Sequence, residues 1–278
     1  MSLNNFFKSI STTRQSFHAK LDRELSKKEA LAQLELVVRK VRGDHPGMNL
    51  RDLYRLVGPG FIGRDAFEVF FTGMGYGVQI KKTFQRTTDS SGVIRFDNLT
   101  EGLELEDVNQ LWVSDITYYR IGDRFYYITF IMDMYSRLIV GHWASRSLRT
   151  THTTIPALLR GFRTRGALRL DGLIFHSDGG GQYYSKEFTK LTSKAGIINS
   201  MGITCYENPN AERLNGIIKN NYLRHYAPTD FKQLVSMTSK AVKMYNTQKP
   251  HGAIDKMNPV AFENKNKMFK EKQSISVY

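Results

Sequence analysis

The sequence predicts a mixed α/β sheet with helices on its faces, preceded by a smaller all-helical region. Residues 1–80 place apolar side chains three and four positions apart, which is helical spacing. From Asn109 onward the chain changes to short runs dense in β-branched and aromatic residues, which are typical of strands. Because these strands first follow one another and later alternate with helical segments, we expect one mixed sheet covered by helices.

The helical region divides into three helices. Segments rich in Pro and Gly at residues 44–47 and 58–60 end the first and the second helix. A third helix is predicted over residues 64–73, with phenylalanines on one face and Arg64 toward solvent. Half of the net positive charge lies in residues 1–86, so this helix is a candidate recognition helix in a helix-turn-helix-like, DNA-binding region.

The second part of the chain predicts five strands. The runs LWVSDITYY, FYYITFIMDMYS and RLIVGHWAS favour a three-stranded meander. A helix near 151–165, a buried strand at 172–178, a helix around 185–195, the short strand INSMGI and further helices follow. The predicted regions are a helical region at 1–80, a linker at 81–107, a catalytic core at 108–262 and a polar, Lys-rich tail at 263–278 that we expect to fray and to touch phosphates.

The composition points to a polyanionic partner. The 278 residues include 40 Lys and Arg against 26 Asp and Glu, a net charge of +14, which favours nucleic acid. No apolar stretch is long enough for a membrane span and the first residues lack the apolar segment of a signal peptide, so we expect a cytoplasmic, nucleoid-associated protein. The single cysteine, Cys205, excludes an internal disulfide and a multi-cysteine zinc site, and we expect it to be a half-buried apolar residue.

Three acidic residues are candidates for a metal site. Asp115 interrupts an apolar strand run, where an ionised carboxylate is costly unless it is compensated. Asp178 ends the run GLIFHSD before Gly179–Gly181, which leave room for a ligand, and Glu212 opens a helix after Pro209. Hard oxygen ligands without a Cys or His cluster favour Mg²⁺ or Mn²⁺, and two such ions suit phosphoryl transfer.

Each of these residues also has an ordinary structural interpretation. Taken singly, Asp115 could be a hydrogen-bonded strand residue, Asp178 a loop former and Glu212 a helix-surface residue. His176 is interpreted as a satisfied edge residue in preference to a ligand. Tyr118 and Tyr119 are interpreted as core and rim aromatics in preference to stacking platforms for bases. Only the combination of the three acids predicts a catalytic site.

Basic and amide side chains near the third acid are candidates for DNA contacts. Lys219 follows Glu212 by seven positions, close to two helical turns, so both project from one face and the ammonium can reach a phosphate. Asn215 lies between them and is expected to join that surface. The DNA-binding candidates are Lys219, Asn215, Arg64 and Arg213.

Several segments together resemble the integrase core of DDE transposases. They are WVSDITYY, YYITFIMDMYSRLIVGHWAS, IFHSDGGGQYYS and CYENPNAERLNGIIKNNYL. The resemblance is greatest to the second-frame (orfB) protein of two-reading-frame insertion sequences, the insertion-sequence-three family. It extends over nearly the whole chain, because the front is similar to that family's helix-turn-helix segment and YNTQKPHGAIDKMNPVAF is similar to its closing motif.

The resemblance implies an RNase H-like fold and the activity of a bacterial insertion-sequence transposase. Asp115 on the first strand, Asp178 after the fourth and Glu212 on a following helix would be metal ligands, and Lys219 matches the family's basic residue. The implied reaction cleaves DNA at the ends of the element and joins the freed 3′-hydroxyl to another phosphodiester. The implied partners are terminal inverted repeats, target DNA, further copies of the chain and an upstream-frame (orfA) product, supplied separately or by frameshift fusion.

Two alternatives stay open, and one departure from the family's pattern motivates the first of them. Only 33 residues separate Asp178 from Glu212, fewer than is usual in the family, and the shortening falls just ahead of Cys205. The first alternative is a catalytically impaired DNA-binding remnant or regulator that uses residues 1–80. The second is a metal-dependent nuclease on the same fold.

Overall fold

A computed structural model describes residues 7, 9, 12–78, 95–202 and 207–275, with side chains described up to residue 269. The chain divides into two compact units, one within Met1–Gly77 and the other within Val78–Tyr278. Cys205 and the shortened connection at residues 203–206 lie outside the described residues, as do residues 79–94, which include the first half of the expected linker at 81–107.

Between residues 12 and 78 the first unit has the helices α1 (Arg14–Asp44), α2 (Leu50–Val57) and α3 (Arg64–Gly73). The Asn49 side chain caps α2 by accepting a hydrogen bond of 2.8 Å from the backbone N–H of Asp52. Gly58 ends the same helix in the left-handed conformation, at φ 62°. The helices meet in a small core that consists of Leu34, Val38, Met48, Leu53, Phe67 and Phe71.

The second unit is built on a five-stranded sheet, which confirms the predicted fold class. Its strands are β1 (Leu111–Ile121), β2 (Arg124–Asp133), β3 (Ile139–Ser145), β4 (Ile174–Ser177) and β5 (Ile198–Met201). The order across the sheet is β3-β2-β1-β4-β5. The first three strands are antiparallel and form the expected meander, whereas β4 pairs parallel with β1 and β5 pairs parallel with β4.

Helices connect and follow the strands. They are α4 (Thr154–Arg165), α5 (Lys186–Lys194), α6 (Pro209–Ile218), α7 (Arg224–Tyr226), α8 (Phe231–Thr247) and α9 (Pro259–Ile275). A π-helical turn at Lys219–Leu223 joins α6 to α7, and 3₁₀ turns lie at Thr150–His152 and Gly252–Ile254. None of the helices in the described part of the chain is long and apolar enough to span a membrane.

Successive side chains of β1 enter different cores on the two faces of the sheet. Trp112 is fully buried in the core that α4 and α5 cover, and Val113 belongs to the core that α6 and α8 cover. Helix α4 lies so close to the sheet that a Cβ at Gly161 would come within 3.0 Å of the Trp112 ring. The sheet is therefore held between two helical layers, and α6 is fixed on the face that also carries Asp115.

The predicted frayed tail is wrong for residues 263–275. These residues belong to α9, and Glu263 accepts hydrogen bonds of 2.7 and 2.9 Å from the two terminal nitrogens of the Arg165 guanidinium. A nearly buried arginine needs anionic partners, and Glu263 supplies one of them. The polar composition of the segment, which suggested fraying, is that of an exposed helix with one anchoring acid.

Candidate carboxylate site

The pairing of β1 with β4 places two of the predicted acids side by side. Ser114 lies opposite Ser177 in this parallel pair, Asp115 is the next residue on β1, and Asp178 is the first residue after the end of β4. Neighbouring strands are about 4.8 Å apart, so two carboxylates at this position interact directly through their charges. The juxtaposition follows from the parallel register, because the sequence separates the two residues by more than sixty positions.

The pKa values of both carboxyl groups are raised. Burial, followed by the charge of Asp178, raises the pKa of Asp115 to about 7. Two hydrogen bonds oppose this shift. The backbone N–H of Ile116 donates to Oδ1 of Asp115 at 2.7 Å, and the Asn215 amide donates to Oδ2 at 2.7 Å. Burial also raises the pKa of Asp178, against the hydrogen bond that it accepts from the Gly180 N–H at 3.1 Å.

The charges of this pair are not balanced by a contacting cation. Within the described ranges, neither Asp115 nor Asp178 has a Lys, Arg or His nitrogen within 4.0 Å. Burial lowers the pKa of Lys219, and the charge of Asp115 opposes this, so the ammonium lies within electrostatic range of the carboxylate. Two adjacent, poorly compensated carboxylates fit a divalent cation, which would bind both and lower their pKa values.

Space beside Asp178 depends on glycine. A Cβ at Gly180 would lie 3.0 Å from Oδ1 of Asp178 and 3.2 Å from Oε1 of Gln182. A larger residue would therefore press on the carboxylate itself, which supports the expectation that this turn needs small residues.

Glu212 is not assembled with the other two acids. It is exposed in the first turn of α6, and its charge makes the smallest contribution among the causes that shift the pKa of Asp115. No group of three or more His, Cys, Asp or Glu side chains lies close enough together to hold a metal ion in the part of the chain that the structure describes. The structure therefore joins Asp115 with Asp178 and leaves Glu212 at the edge of their site.

Two residues that the sequence left without a role tie the start of α6 to the sheet. Asn208 is 4% exposed and donates a hydrogen bond of 2.9 Å to the backbone carbonyl of Ser114, directly before Asp115. His176 contacts the Ser200 hydroxyl at 2.9 Å and the Glu207 carbonyl at 3.2 Å, so it is the satisfied residue of the structural interpretation. The position of Asn208 just before Pro209, at a predicted helix start, was the available signal for its role.

Tyr183 supports the site from the opposite face of β1. Its side chain is buried, and its hydroxyl lies 2.9 Å from the Ser114 hydroxyl, which donates to the Phe130 carbonyl at 2.9 Å. Burial, with the charges of Asp178 and Asp115, raises the pKa of Tyr183, so it remains a neutral phenol. The sequence did not single it out, because a tyrosine in a Gly-rich turn carries no specific signal.

The four DNA-binding candidates have different surroundings. Asn215 is 6% exposed and its amide donates to Asp115, so the expectation that it joins a DNA-facing surface is wrong. It belongs to the interior of the carboxylate site because it lies one turn after Glu212 on the side of α6 that packs on β1. Arg64 is exposed and pairs with Asp65 at 2.7 Å, Arg213 is exposed, and Lys219 is half-buried beside Asp115.

Comparison with known proteins identifies the second unit's family. Two family models, both described as an integrase core domain, match residues 106–205 and 195–259, together more than half of the chain. The chain is 31% identical over 179 residues to the transposase for insertion sequence element IS629 of Shigella sonnei, an alignment that covers 64% of this chain and 58% of that protein. It is 27% identical over 162 residues to transposase InsF for insertion sequence IS3A of Escherichia coli K12, covering 57% of this chain and 55% of that protein.

A further relative aligns over more of the chain. It is the uncharacterized 31 kDa protein of insertion element IS600 from Shigella sonnei, which is 28% identical over 209 residues, 73% of this chain and 76% of that protein. Among solved structures, the catalytic core domain of HTLV-2 integrase in complex with magnesium has a TM-score of 0.47 at 22% identity, covering 56% of this chain and 96% of that one.

Proposed function

Since the chain belongs to the integrase core domain family, we propose that it is the transposase of a bacterial insertion sequence, a DDE-type polynucleotidyl transferase. The observation that carries the proposal is the partly buried pair of Asp115 on β1 and Asp178 at the end of β4, with raised pKa values and, among the described residues, no contacting cation. The transposases among its relatives act on insertion sequence elements, and this chain aligns with just over half of the length of two of them.

The pair of aspartates would hold divalent metal, Mg²⁺ or Mn²⁺, with Glu212 as a third ligand. Two ions bound there would activate an attacking oxygen and stabilise a leaving oxygen at a phosphate. Asn215 would hold the Asp115 carboxylate in one orientation through its hydrogen bond of 2.7 Å. Glu212 reaches the pair only if its exposed side chain turns inward, and the hydrogen bond from Asn208 to the Ser114 carbonyl keeps the start of α6 against β1.

The proposed reaction has two steps, a hydrolysis and a transesterification. In the first, water attacks a phosphodiester at the end of the element, and the bond to the 3′-oxygen breaks so that a 3′-hydroxyl is released. In the second, that 3′-hydroxyl attacks a phosphodiester elsewhere, forms a new P–O bond and displaces another 3′-oxygen. Lys219, half-buried beside Asp115, would contact a non-bridging phosphate oxygen in both steps.

DNA is the proposed substrate in both steps: the terminal inverted repeats of the element in the first and the target DNA in the second. The net charge of +14 would draw the phosphate backbone to the protein. Helix α3 of the first unit, with the exposed Arg64, is the proposed region for reading sequence. A homo-oligomer would hold two DNA ends together, and the product of an upstream frame is a further proposed partner.

The test is strand transfer in Mg²⁺ on DNA that carries the inverted repeats flanking the gene. We expect the wild-type chain, alone or with the upstream-frame product, to cleave the ends and to join them to a second DNA. Asp178→Asn should reduce both products at least a thousandfold, because several kcal/mol of charge stabilisation are lost and each ~1.4 kcal/mol is a factor of ten. Asp171→Asn is the matched control, since Asp171 is an exposed acid that pairs with Arg169.

The outcomes separate the proposed function from its alternatives. Equal behaviour of wild type and Asp178→Asn would reject the enzyme and favour a DNA-binding regulator. Cleavage that depends on Asp178 but never yields joined strands would favour a metal-dependent nuclease on this fold.

A further inference from the structure

A second concave surface begins beside the carboxylate site and runs along the β1–β2 hairpin. This groove encloses about 800 Å³ and lies between the end of β1 and the π-helical turn with α7. Its lining includes the aromatic rings of Tyr118, Tyr119 and Phe125 and the cations of Arg120, Lys219 and Arg224. The proposed catalytic residues account for only Lys219 among them.

The groove is connected to the acids at one end. Lys219 lines it and also interacts with the charge of Asp115. The charges of Asp178 and Asp115 contribute to raising the pKa of Tyr118, after burial and Tyr127, so the phenol lies within their electrostatic range. Because Lys219 both lines the groove and interacts with Asp115, the groove is the adjoining surface for a strand whose phosphate is held at the carboxylates.

The far end of the groove presents an accessible aromatic ring. Phe125 is 48% exposed and lines the groove, so its ring is accessible to a ligand that enters there. Its ring meets that of Tyr118 at a centroid distance of 6.4 Å, and the Arg120 guanidinium lies 5.9 Å from its centroid. Rings of this kind can stack on any base, and arginine adds a cation that a phosphate or a base can contact.

The lining of the groove favours a single strand over a duplex. Its volume of about 800 Å³ is in the range of pockets that enclose one drug-sized ligand, which is enough for one or two nucleotides. Paired bases stack on their neighbours within the duplex and do not present their faces to protein rings. A lining of rings and cations at this scale therefore matches unpaired nucleotides.

We propose that this groove binds an unpaired DNA strand adjacent to the cleavage site, with bases against Phe125 and Tyr118 and phosphates against Arg224 and Lys219. The proposal deepens the proposed function and rests on it, because it assumes that the strand in the groove continues from the phosphate at the carboxylates. It gives the hairpin between β1 and β2 a role in holding DNA ends that have opened.

The test measures binding of the full chain to a fluorescein-labelled oligothymidylate and to a blunt duplex of the same length, without divalent metal. We expect Phe125→Ala to weaken single-strand binding about tenfold, because stacking on one aromatic ring contributes about that factor. Binding of the duplex should change less than about twofold, since paired bases do not stack on the ring. Arg224→Ala should weaken single-strand binding by a similar factor.

Two controls make the result specific. Phe125→Tyr keeps an aromatic ring and should retain wild-type affinity. The weaker binding of Phe125→Ala is then assigned to the loss of the ring. Trp143→Ala removes a comparably exposed ring, 40% exposed on β3, which lies at the edge of the sheet and outside the groove. We expect no change in affinity from it.

The proposal is overturned if Phe125→Ala behaves like Trp143→Ala, or if it weakens duplex and single strand equally. Failure of the proposed function is read separately, from cleavage and joining by wild type and Asp178→Asn. A chain that binds single strands through Phe125 but never cleaves would retain the groove and lose the transposase assignment.

Discussion

Two acidic clusters on adjacent strands of the same sheet differ in whether an arginine compensates their charge. Asp133 at the end of β2 is fully buried, and it accepts hydrogen bonds of 2.7 Å from the Asn109 N–H and 2.8 Å from Arg165. Burial raises its pKa, but the Asn109 hydrogen bond and the Arg165 charge oppose the shift. For Asp115 the second cause is the charge of Asp178, which raises the pKa further.

The contrast shows what a buried carboxylate is for. Arg165 bridges Asp133 to Glu263 and so fastens α9 to the sheet, which is a structural role. The pair of Asp115 and Asp178 is left with an amide and backbone donors, which orient the carboxylates without neutralising them. A cluster that retains its charge in this way is suited to bind a cation, and it reduces the stability of the protein until it does so.

The largest expected effect on stability comes from removing the arginine that compensates the charge of Asp133. Arg165→Ala leaves Asp133 buried without its cation and should lower the free energy of unfolding by about 3–5 kcal/mol. Urea denaturation measures the loss. Arg163→Ala, an exposed arginine on the same helix, is the control and should change stability by less than about 0.5 kcal/mol. Equal effects of the two substitutions would remove the structural role assigned to Arg165.

Removing one charge from the pair of Asp115 and Asp178 should increase stability instead of lowering it. Asp115→Asn should stabilise the metal-free protein by about 2 kcal/mol at pH 8, because it removes a buried charge beside Asp178. The pKa of Asp115 is raised to about 7, so the folded protein keeps a proton between about pH 4 and 7 that the unfolded chain releases. Stability of the wild type should therefore fall as the pH rises through this window.

The measurement is urea denaturation of both proteins at pH 5 and pH 8 in the presence of a chelator. The gain from Asp115→Asn should be small at pH 5, where the wild-type carboxyl is largely protonated, and larger at pH 8. A gain of the same size at both pH values would show that the Asp115 charge does not cause it.

Binding of metal should increase the stability of the wild type by a smaller amount. At a Mg²⁺ concentration ten times its dissociation constant, wild-type stability should rise by about 1.4 kcal/mol, which thermal denaturation detects as an increase in Tm of a few degrees. Asp115→Asn should show no such increase, whereas Asp171→Asn should behave like wild type. If matched NaCl gives the same increase as Mg²⁺, the effect is screening of charge and not binding at the pair.

The smallest effect on stability is expected at the link between the pair and α6. Asn208→Ala removes the hydrogen bond to the Ser114 carbonyl and should cost about 1 kcal/mol of stability. Strand transfer should fall about tenfold, because misplaced groups lose orders of magnitude in rate. Asn264→Ala, on the exposed side of α9, should alter neither quantity. A stability loss without any change in rate would show that Asn208 only supports folding.

Much of the fold could be predicted from local patterns. Alternating and continuous apolar runs predicted all five strands, and segments rich in Pro and Gly predicted the ends of α1 and α2, because these signals depend on near neighbours in the chain. The prediction for the tail was wrong because its structure depends on a contact with a residue far away in the chain. Its composition is that of an exposed segment, and only the distant Arg165 gives Glu263 a partner.

The candidate site shows the same division. An acid inside an apolar run is visible in sequence, so Asp115 and Asp178 could be selected, but a side chain's partners are not. Asn215 was expected to face DNA and is buried against Asp115, and Tyr183 and Asn208 were missed because their contacts lie on other elements.

The sequence alone determined the chemistry that the protein carries: its strands and helices, its positive charge and the acids placed where burial is costly. The tertiary structure decided which of those acids meet and which are neutralised. The parallel register of β1 with β4 brings Asp115 beside Asp178, and the packing of α4 and α9 gives Asp133 its arginine. The physical reason is that burial and charge compensation depend on distances between residues far apart in the chain, which only the folded structure sets.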